Sequence, residues 1–218
     1  MENPSKILEG GVEHVLGSFD GKKVIYDFPK ILEYLSTKGK QLFGKEFHIY
    51  EEDHTMIYKL SNYYIRDAES CEKAGIDIHK GILLSGPVGC GKTSLMKLLR
   101  YIVPHQRAYE VIPSRNITFA FNHIGYKVIE DYGNQGFFCF DDLGVEPLGR
   151  HYGKDCNVLG EILISRHELL LNHKVLTHAT TNLNAEELEE RYGNRVRSRM
   201  RQLFNLIAFD NKVVDKRN

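Results

Sequence analysis

The 218-residue chain contains no tryptophan and no excess of charge of either sign. Lysine plus arginine and aspartate plus glutamate both number 29, so the formal net charge is zero. A generally basic surface for nucleic acid is therefore not implied, and any such contact has to come from a local patch. The length suffices for one α/β domain with a sizeable core and a smaller appendage.

Cysteines are few, and long apolar runs are missing. The four cysteines, Cys71, Cys90, Cys139 and Cys156, form no C-x-x-C pair. They fit neither a zinc site nor a disulfide framework, and we expect reduced thiols. No stretch approaches the length of about 18 apolar residues that a membrane helix needs. The N-terminus also lacks a cationic segment followed by an apolar core. We expect a cytoplasmic protein with no membrane contact.

The most informative stretch of the sequence lies between Gly81 and Leu95. Its residues 86–93 read G-P-V-G-C-G-K-T and match G-x-x-x-x-G-K-[ST] at every fixed position. An apolar run at residues 82–84 precedes this pattern and helix-forming residues follow it, which is the order that phosphate binding at a helix N-terminus requires. We expect the phosphates to be held by nine residues: Gly86, Pro87, Val88, Gly89, Cys90, Gly91, Lys92, Thr93 and Ser94.

The fixed positions of this loop each have a physical reason. Glycines allow the backbone to approach a phosphate closely. Lys92 offers a mobile positive charge to the β- and γ-phosphates, and the Thr93 hydroxyl offers a ligand to Mg²⁺. A tight connection between a strand and a helix would also use glycines, but it would not need the Lys-Thr pair. The loop therefore predicts a nucleoside triphosphate with Mg²⁺.

Hydrophobic spacing predicts strands that alternate with helices. Strands are expected at residues 82–84, 107–112, 137–143, 174–182 and 204–209. Helices are expected at 55–74, after the phosphate loop, at 116–132, at 157–171 and from Asn184 to Leu203, where Asn184 and Glu187 form a capping-box pattern. The order predicts a five-stranded parallel sheet with helices on both faces, the α/β three-layer sandwich of P-loop NTPases. Residues 1–54 form a small α/β or helical appendage in this interpretation.

Polar residues end two of the predicted strands. Asp141 and Asp142 follow one apolar run, and Asn182 ends the next strand along the chain. In a parallel sheet these ends gather at the ligand-binding edge. We expect Asp141 to hold Mg²⁺, Asp142 to polarise the attacking water, and Asn182 to hydrogen-bond the γ-phosphate and that water. A solvated Asp-Asp turn and a plain helix-entry turn are the alternatives.

Residues 191–201 contain five arginines in eleven positions. On a helix, Arg195 and Arg199 share one face and Arg197 and Arg201 share another. A charged surface helix accounts for most of them. For Arg199 the alternative is an arginine finger that completes the site of a neighbouring subunit.

Four motifs taken together resemble those of the AAA+ ATPases of the DnaC/DnaI helicase-loader and IstB transposition-helper type. They are G-P-V-G-C-G-K-T, F-F-C-F-D-D-L-G, A-T-T-N-L and R-Y-G-N-R-V-R-S-R-M, in this order within residues 55–210. The resemblance implies a Walker A motif at residues 86–93, Walker B acids at Asp141 and Asp142, sensor 1 at Asn182 and an arginine finger at Arg199. The resemblance also implies that residues 55–218 form an AAA+ ATPase domain without a C-terminal lid.

The same resemblance implies a function. It suggests slow hydrolysis of ATP with Mg²⁺, stimulated by assembly into ATP-dependent homo-oligomers. The expected partners are a replicative helicase or a transposase, with single-stranded DNA as a further ligand and residues 1–54 as a candidate partner-binding segment. Asp142 departs from the glutamate of many AAA+ proteins, which keeps open a non-catalytic, ATP-dependent switch. The arginine run keeps open a small-molecule P-loop kinase.

Overall fold

The structure, a computed structural model, describes residues 5–209 and 215–216. It divides into two compact units. The first comprises residues Met1–Ile76 and Ser94–Ala108, and the second comprises Asp77–Thr93 and Tyr109–Asn218. The predicted boundary between residues 54 and 55 stays a prediction. None of the helices within the described ranges is long and apolar enough to cross a membrane.

The first unit contains two antiparallel hairpins followed by helices. Its elements in chain order are β1 (Lys6–Glu9), β2 (Val12–Val15), β3 (Gly17–Phe19), β4 (Val24–Tyr26), α1 (Phe28–Phe43), a 3₁₀ turn (Glu51–Asp53), α2 (His54–Tyr64) and α3 (Ala68–Lys73), with a second 3₁₀ turn at Arg100–Ile102. The prediction of one helix over residues 55–74 is wrong. Arg66 takes a positive φ of 58° and ends α2, and Asp67 then caps α3 by accepting the Ser70 N–H at 3.1 Å.

The second unit carries the main sheet and most of the predicted alternation. Its elements in chain order are β5 (Gly81–Ser85), α4 (Lys92–Leu99, whose later turns belong to the first unit), β6 (Glu110–Pro113), α5 (Ser114–Ile124), α6 (Lys127–Gly133), β7 (Phe138–Asp141), β8 (Gly149–His151), β9 (Lys154–Cys156), α7 (Val158–His173), β10 (His178–Thr181), α8 (Ala185–Leu203) and β11 (Phe204–Ala208). Asn184 and Glu187 form the predicted capping box at the start of α8.

The sheet has the strand order β11-β5-β10-β7-β6, and all neighbours are parallel. The predicted fold class, a P-loop NTPase-like parallel sheet of five strands with helices around it, is confirmed. From β5 the chain crosses to β6 at the far edge of the sheet and then returns through β7 to β10, which lies next to β5. The carboxyl ends of β5, β10 and β7 therefore lie side by side, and ligands in open α/β sheets bind outside such strand ends.

Apolar residues of the strands and of α5, α7 and α8 form one buried cluster. It includes Leu83, Phe140, Phe121, Leu163 and Met200, all at most 2% exposed. This packing holds the strand ends in place, and large-to-small changes in such a core typically cost about 2–5 kcal/mol.

Two local features of the second unit differ from the sequence prediction. The helix expected over residues 116–132 is broken at Gly125, which has a φ of 78° and lies against His151. A hairpin of β8 and β9, with Arg150 opposite Asp155, was not predicted at all. It follows β7 and Asp142 in the chain, and β8 packs on α5.

Candidate nucleotide-binding site

The phosphate loop joins β5 to α4 and encloses the ammonium group of Lys92. Gly89 and Gly91 have φ values of 84° and 95°, a region that favours glycine over any other residue. Lys92 is buried, and its Nζ donates to the carbonyl oxygens of Gly86 at 2.7 Å and Pro87 at 2.8 Å. The loop is therefore already folded around its lysine, and a phosphate has to compete with two carbonyls for that charge.

The predicted strand end of β7 meets the start of α4. The Thr93 hydroxyl donates to Asp141 Oδ1 at 2.8 Å, and the Thr180 hydroxyl donates to the same oxygen at 2.6 Å. Asp141 is buried. A hydroxyl and a carboxylate side by side are hard oxygen ligands of the kind Mg²⁺ takes, usually together with substrate phosphates and waters. The residues present therefore fit the predicted metal.

Asp141 and Asp142 occupy different environments although they are neighbours in sequence. Asp142 has a φ of 54° and is exposed, whereas Asp141 points inward. The Asp142 N–H donates to Thr180 Oγ1 at 2.9 Å, and the Leu143 N–H donates to the Thr180 carbonyl at 2.8 Å. Aspartate tolerates the left-handed conformation better than most residues. One carboxylate thus faces the loop threonine while the other stays accessible to water.

Asn182 follows β10 directly and lies beside the start of the phosphate loop. Thr181 pairs with Ser85 in the sheet, and its carbonyl accepts the Gly86 N–H at 3.3 Å. Within the part of the chain that the structure describes, the Asn182 Oδ1 atom is buried and has no hydrogen-bond partner. Buried polar atoms rarely stay unsatisfied. This oxygen is therefore free to bind a water or a ligand at the sheet edge.

The arginines of α8 differ in their surroundings. Burial, followed by the charge of Arg201, lowers the pKa of Arg197. Arg195 is exposed. Arg199 is half-buried and, within residues 5–209 and 215–216, it has no hydrogen bond or ion pair, so the structure does not join it to the loop or to the acids of its own chain. Its role stays a prediction.

Another stretch of chain reaches the phosphate loop. The Lys216 N–H donates to the Gly89 carbonyl at 3.1 Å. The Asp215 carboxylate lies directly against Gly89, where a Cβ atom would collide with it. A carboxylate at this position opposes the binding of an anion next to Gly89.

Sequence reasoning missed two residues that organise this region. Thr180 joins Asp141 to the backbone of Asp142, and the only signal for it was the polar Thr-Thr-Asn end of a strand. Glu146 is an acid in the loop after the strand, and its side chain is only 1% exposed. An acid next to a proline in a loop reads as a surface residue, so its sequence gave no reason to select it.

The fold is shared with several solved structures. The DnaC helicase loader superimposes with a TM-score of 0.54 at 17% identity, covering 75% of this chain and 94% of that one. DnaI superimposes with a TM-score of 0.53 at 18% identity, covering 80% of this chain and 94% of that one. DnaA from Aquifex aeolicus with bound AMPPCP superimposes with a TM-score of 0.50 at 19% identity, covering 78% of this chain and 50% of that one.

Comparison with protein-family models and with curated proteins finds no relative. No protein-family model matches the sequence, and no curated protein matches it. Identities below one fifth establish likeness of fold alone. The resemblance inferred from the four motifs is confirmed at this level: the chain shares the fold of the DnaC helicase loader and of DnaI.

Proposed function

We propose that this protein is an AAA+ ATPase that acts in DNA replication, where it loads or remodels a replicative helicase on DNA. The observation that carries the proposal is the joining of Thr93, Asp141 and Thr180 beside a folded phosphate loop. The loop that would hold the phosphates, the carboxylate that would hold the metal, and the ends of β7 and β10 lie together there, as hydrolysis of a nucleoside triphosphate requires. The likeness in fold to DnaC and DnaI supports the role in replication.

Each residue of the candidate site has a separate role in the proposed hydrolysis. Lys92 exchanges its two carbonyl partners for phosphate oxygens, and Thr93 with Asp141 would hold Mg²⁺, which would offset the negative charge that develops on the phosphates. Asp142 accepts a proton from the attacking water. Asn182 orients that water, and Arg199 reaches the γ-phosphate of a neighbouring subunit.

A switch that binds ATP without hydrolysing it is the second candidate. Residue 142 is an aspartate, and this favours the switch because its side chain is shorter than that of glutamate and reaches less far toward the attacking water. A small-molecule kinase is less well supported, since the polar ends of β7 and β10 suit water better than an organic acceptor. Transposition help in place of helicase loading would use the same site with a different partner.

The proposal is tested by measuring phosphate release per subunit. We expect the rate to rise about tenfold or more when the protein concentration is raised from nanomolar to micromolar or when single-stranded DNA is added, because the arginine comes from another subunit. A flat rate under both conditions contradicts the loader mechanism. ATP binding without any phosphate release selects the switch, and a phosphorylated small molecule selects the kinase.

The hairpin of β8 and β9 offers a surface for single-stranded DNA. Tyr152 at its tip is 95% exposed and has a φ of 47°, an unfavourable conformation for an aromatic residue. Arg150 and Lys154 flank it and are exposed. The hairpin is held in place because the Arg150 N–H donates to Asn122 Oδ1 at 2.6 Å. An exposed ring between two cations is the pattern that stacks on bases and attracts the phosphate backbone.

Replacing Tyr152 by alanine is expected to weaken binding of an oligo-dT strand about tenfold, in line with the loss of one stacked base. Tyr152→Phe keeps the ring and should bind like the wild type. Fluorescence anisotropy of a labelled strand at fixed salt measures both. Tyr58→Ala, which removes an exposed tyrosine of the first unit, is the control. Equal affinity of Tyr152→Ala and wild type would remove the hairpin from the DNA surface.

A further inference from the structure

Glu146 is a buried carboxylate that takes no part in the proposed hydrolysis. Its Oε2 atom accepts the Gly144 N–H at 2.8 Å, and its Oε1 atom accepts the Tyr192 hydroxyl at 2.7 Å. The Arg191 guanidinium donates to the same Oε1 at 3.3 Å and to the Glu146 carbonyl at 2.7 Å. A charge taken out of water is tolerated only when it is paired and hydrogen-bonded in this way.

The partners of Glu146 belong to two parts of the site. Gly144 is two residues after Asp142, in a loop whose Leu143 carbonyl also accepts the Thr181 hydroxyl at 2.7 Å. Arg191 and Tyr192 lie on α8, at the end of its first half. Burial and the neighbouring carboxylate raise the pKa of Tyr192 well above its usual value, so its hydroxyl stays a donor at neutral pH. Glu146 therefore ties the loop after the acid pair to α8.

The point of attachment on α8 is followed at once by a break. Gly193 has φ 79° and ψ 161° inside the helix, so the regular hydrogen-bond ladder is interrupted there. Arg199 lies six positions beyond, in the second half. Asn157 adds a second hold on the first half, since its Nδ2 donates to the Arg191 carbonyl at 3.0 Å. We call these contacts of Glu146 and Asn157 the clamp; they hold the half of α8 that precedes the break.

We propose that Glu146 is a positioning residue that links the loop of Asp142 to the helix that presents Arg199. The inference rests on the proposed function, because it concerns an arginine that serves the neighbouring subunit. In that arrangement one chain contributes its acids to one site and its arginine to the next. Glu146 would then transmit a shift of the acid loop at one site to the arginine of the adjacent site.

The clamp itself is tested by hydrogen exchange of the full chain. Glu146→Gln keeps the shape but removes the charge, and Tyr192→Phe removes a single hydroxyl. We expect amides of residues 194–201 to exchange about tenfold faster in Glu146→Gln, as expected for a locally destabilised segment. Glu190→Gln, an exposed acid of the same helix, is the control and should leave exchange unchanged. Wild-type protection in Glu146→Gln overturns the proposal.

A kinetic cycle separates positioning from a general structural role. In single-turnover hydrolysis under assembling conditions, we expect Glu146→Gln to lower the rate about tenfold while ATP affinity changes less than about twofold. In an Arg199→Ala background the same change should have no further effect, because the arginine it positions is gone. An equal loss in both backgrounds, or no loss in either, overturns the proposal. If Glu146→Gln does not fold, the same cycle is measured with Tyr192→Phe.

Hydrogen exchange and single-turnover kinetics together distinguish failure of the proposed ATPase activity from failure of the role proposed for Glu146. A wild-type protein that releases no phosphate under any condition refutes the proposed ATPase, and the exchange experiment still decides whether Glu146 holds the arginine helix. A wild-type protein that hydrolyses ATP, together with a Glu146→Gln variant that equals it in both measurements, refutes only the role of Glu146.

Discussion

ATP binding is expected to fall about 100-fold or more when Lys92 is replaced by alanine, which corresponds to about 2.7 kcal/mol. Two losses combine in this variant. The charge that faces the phosphates disappears, and the carbonyls of Gly86 and Pro87 lose the donor that now satisfies both of them. The loop would then have to hold phosphates through backbone N–H groups alone, in a less fixed shape.

Equilibrium titration with a fluorescent ATP analogue measures this loss. Lys97→Ala is the matched control, because Lys97 is a partly exposed lysine of the same helix and belongs to no predicted site. It should bind ATP like the wild type. Lys92→Ala binding within about threefold of the wild type would mean that nucleotide is held elsewhere, and it would contradict the proposed function at its first step.

The phosphate loop could be predicted from sequence because its determinants are contiguous. Gly86 to Thr93 fold through backbone angles that glycine permits, followed by a helix start, and none of this depends on distant residues. The meeting of Asp141 with Thr93 could be expected for a different reason. Parallel strands bring their carboxyl ends to one edge, so correct assignment of the strands places the acids there.

The features that were missed depend on contacts between distant parts of the chain. Apolar spacing continues in phase through Arg66 and through Gly125, so periodicity alone reads one helix where the structure has two. Glu146 is separated from Tyr192 by 46 positions, and nothing near it in sequence indicates burial. Local patterns predict elements and contiguous motifs, whereas a buried ion pair is fixed only when the elements pack.

Loss of turnover with retained ATP binding is expected for two variants, Asp142→Asn and Arg199→Ala. The first removes the group that accepts the proton of the attacking water, and the second removes the charge that stabilises the transferring phosphoryl group. Each should lower phosphate release by about 100-fold or more under assembling conditions, since an arginine finger alone is worth about 10³–10⁵ in rate. If Asp142→Asn hydrolyses ATP like the wild type, the role assigned to Asp142 is wrong.

A mixture of these two inactive proteins tests whether Arg199 acts across subunits. In a head-to-tail assembly, a site forms from the acids of one chain and the arginine of the next. Random mixing in equal amounts would restore both groups at about one quarter of the interfaces, so the mixture should regain up to about a quarter of the wild-type rate. If Arg199 served its own chain, every subunit would stay defective and mixing would restore nothing. Phosphate release from the mixture, compared with each variant alone at the same total concentration, therefore decides whether one chain holds a complete site or half of one.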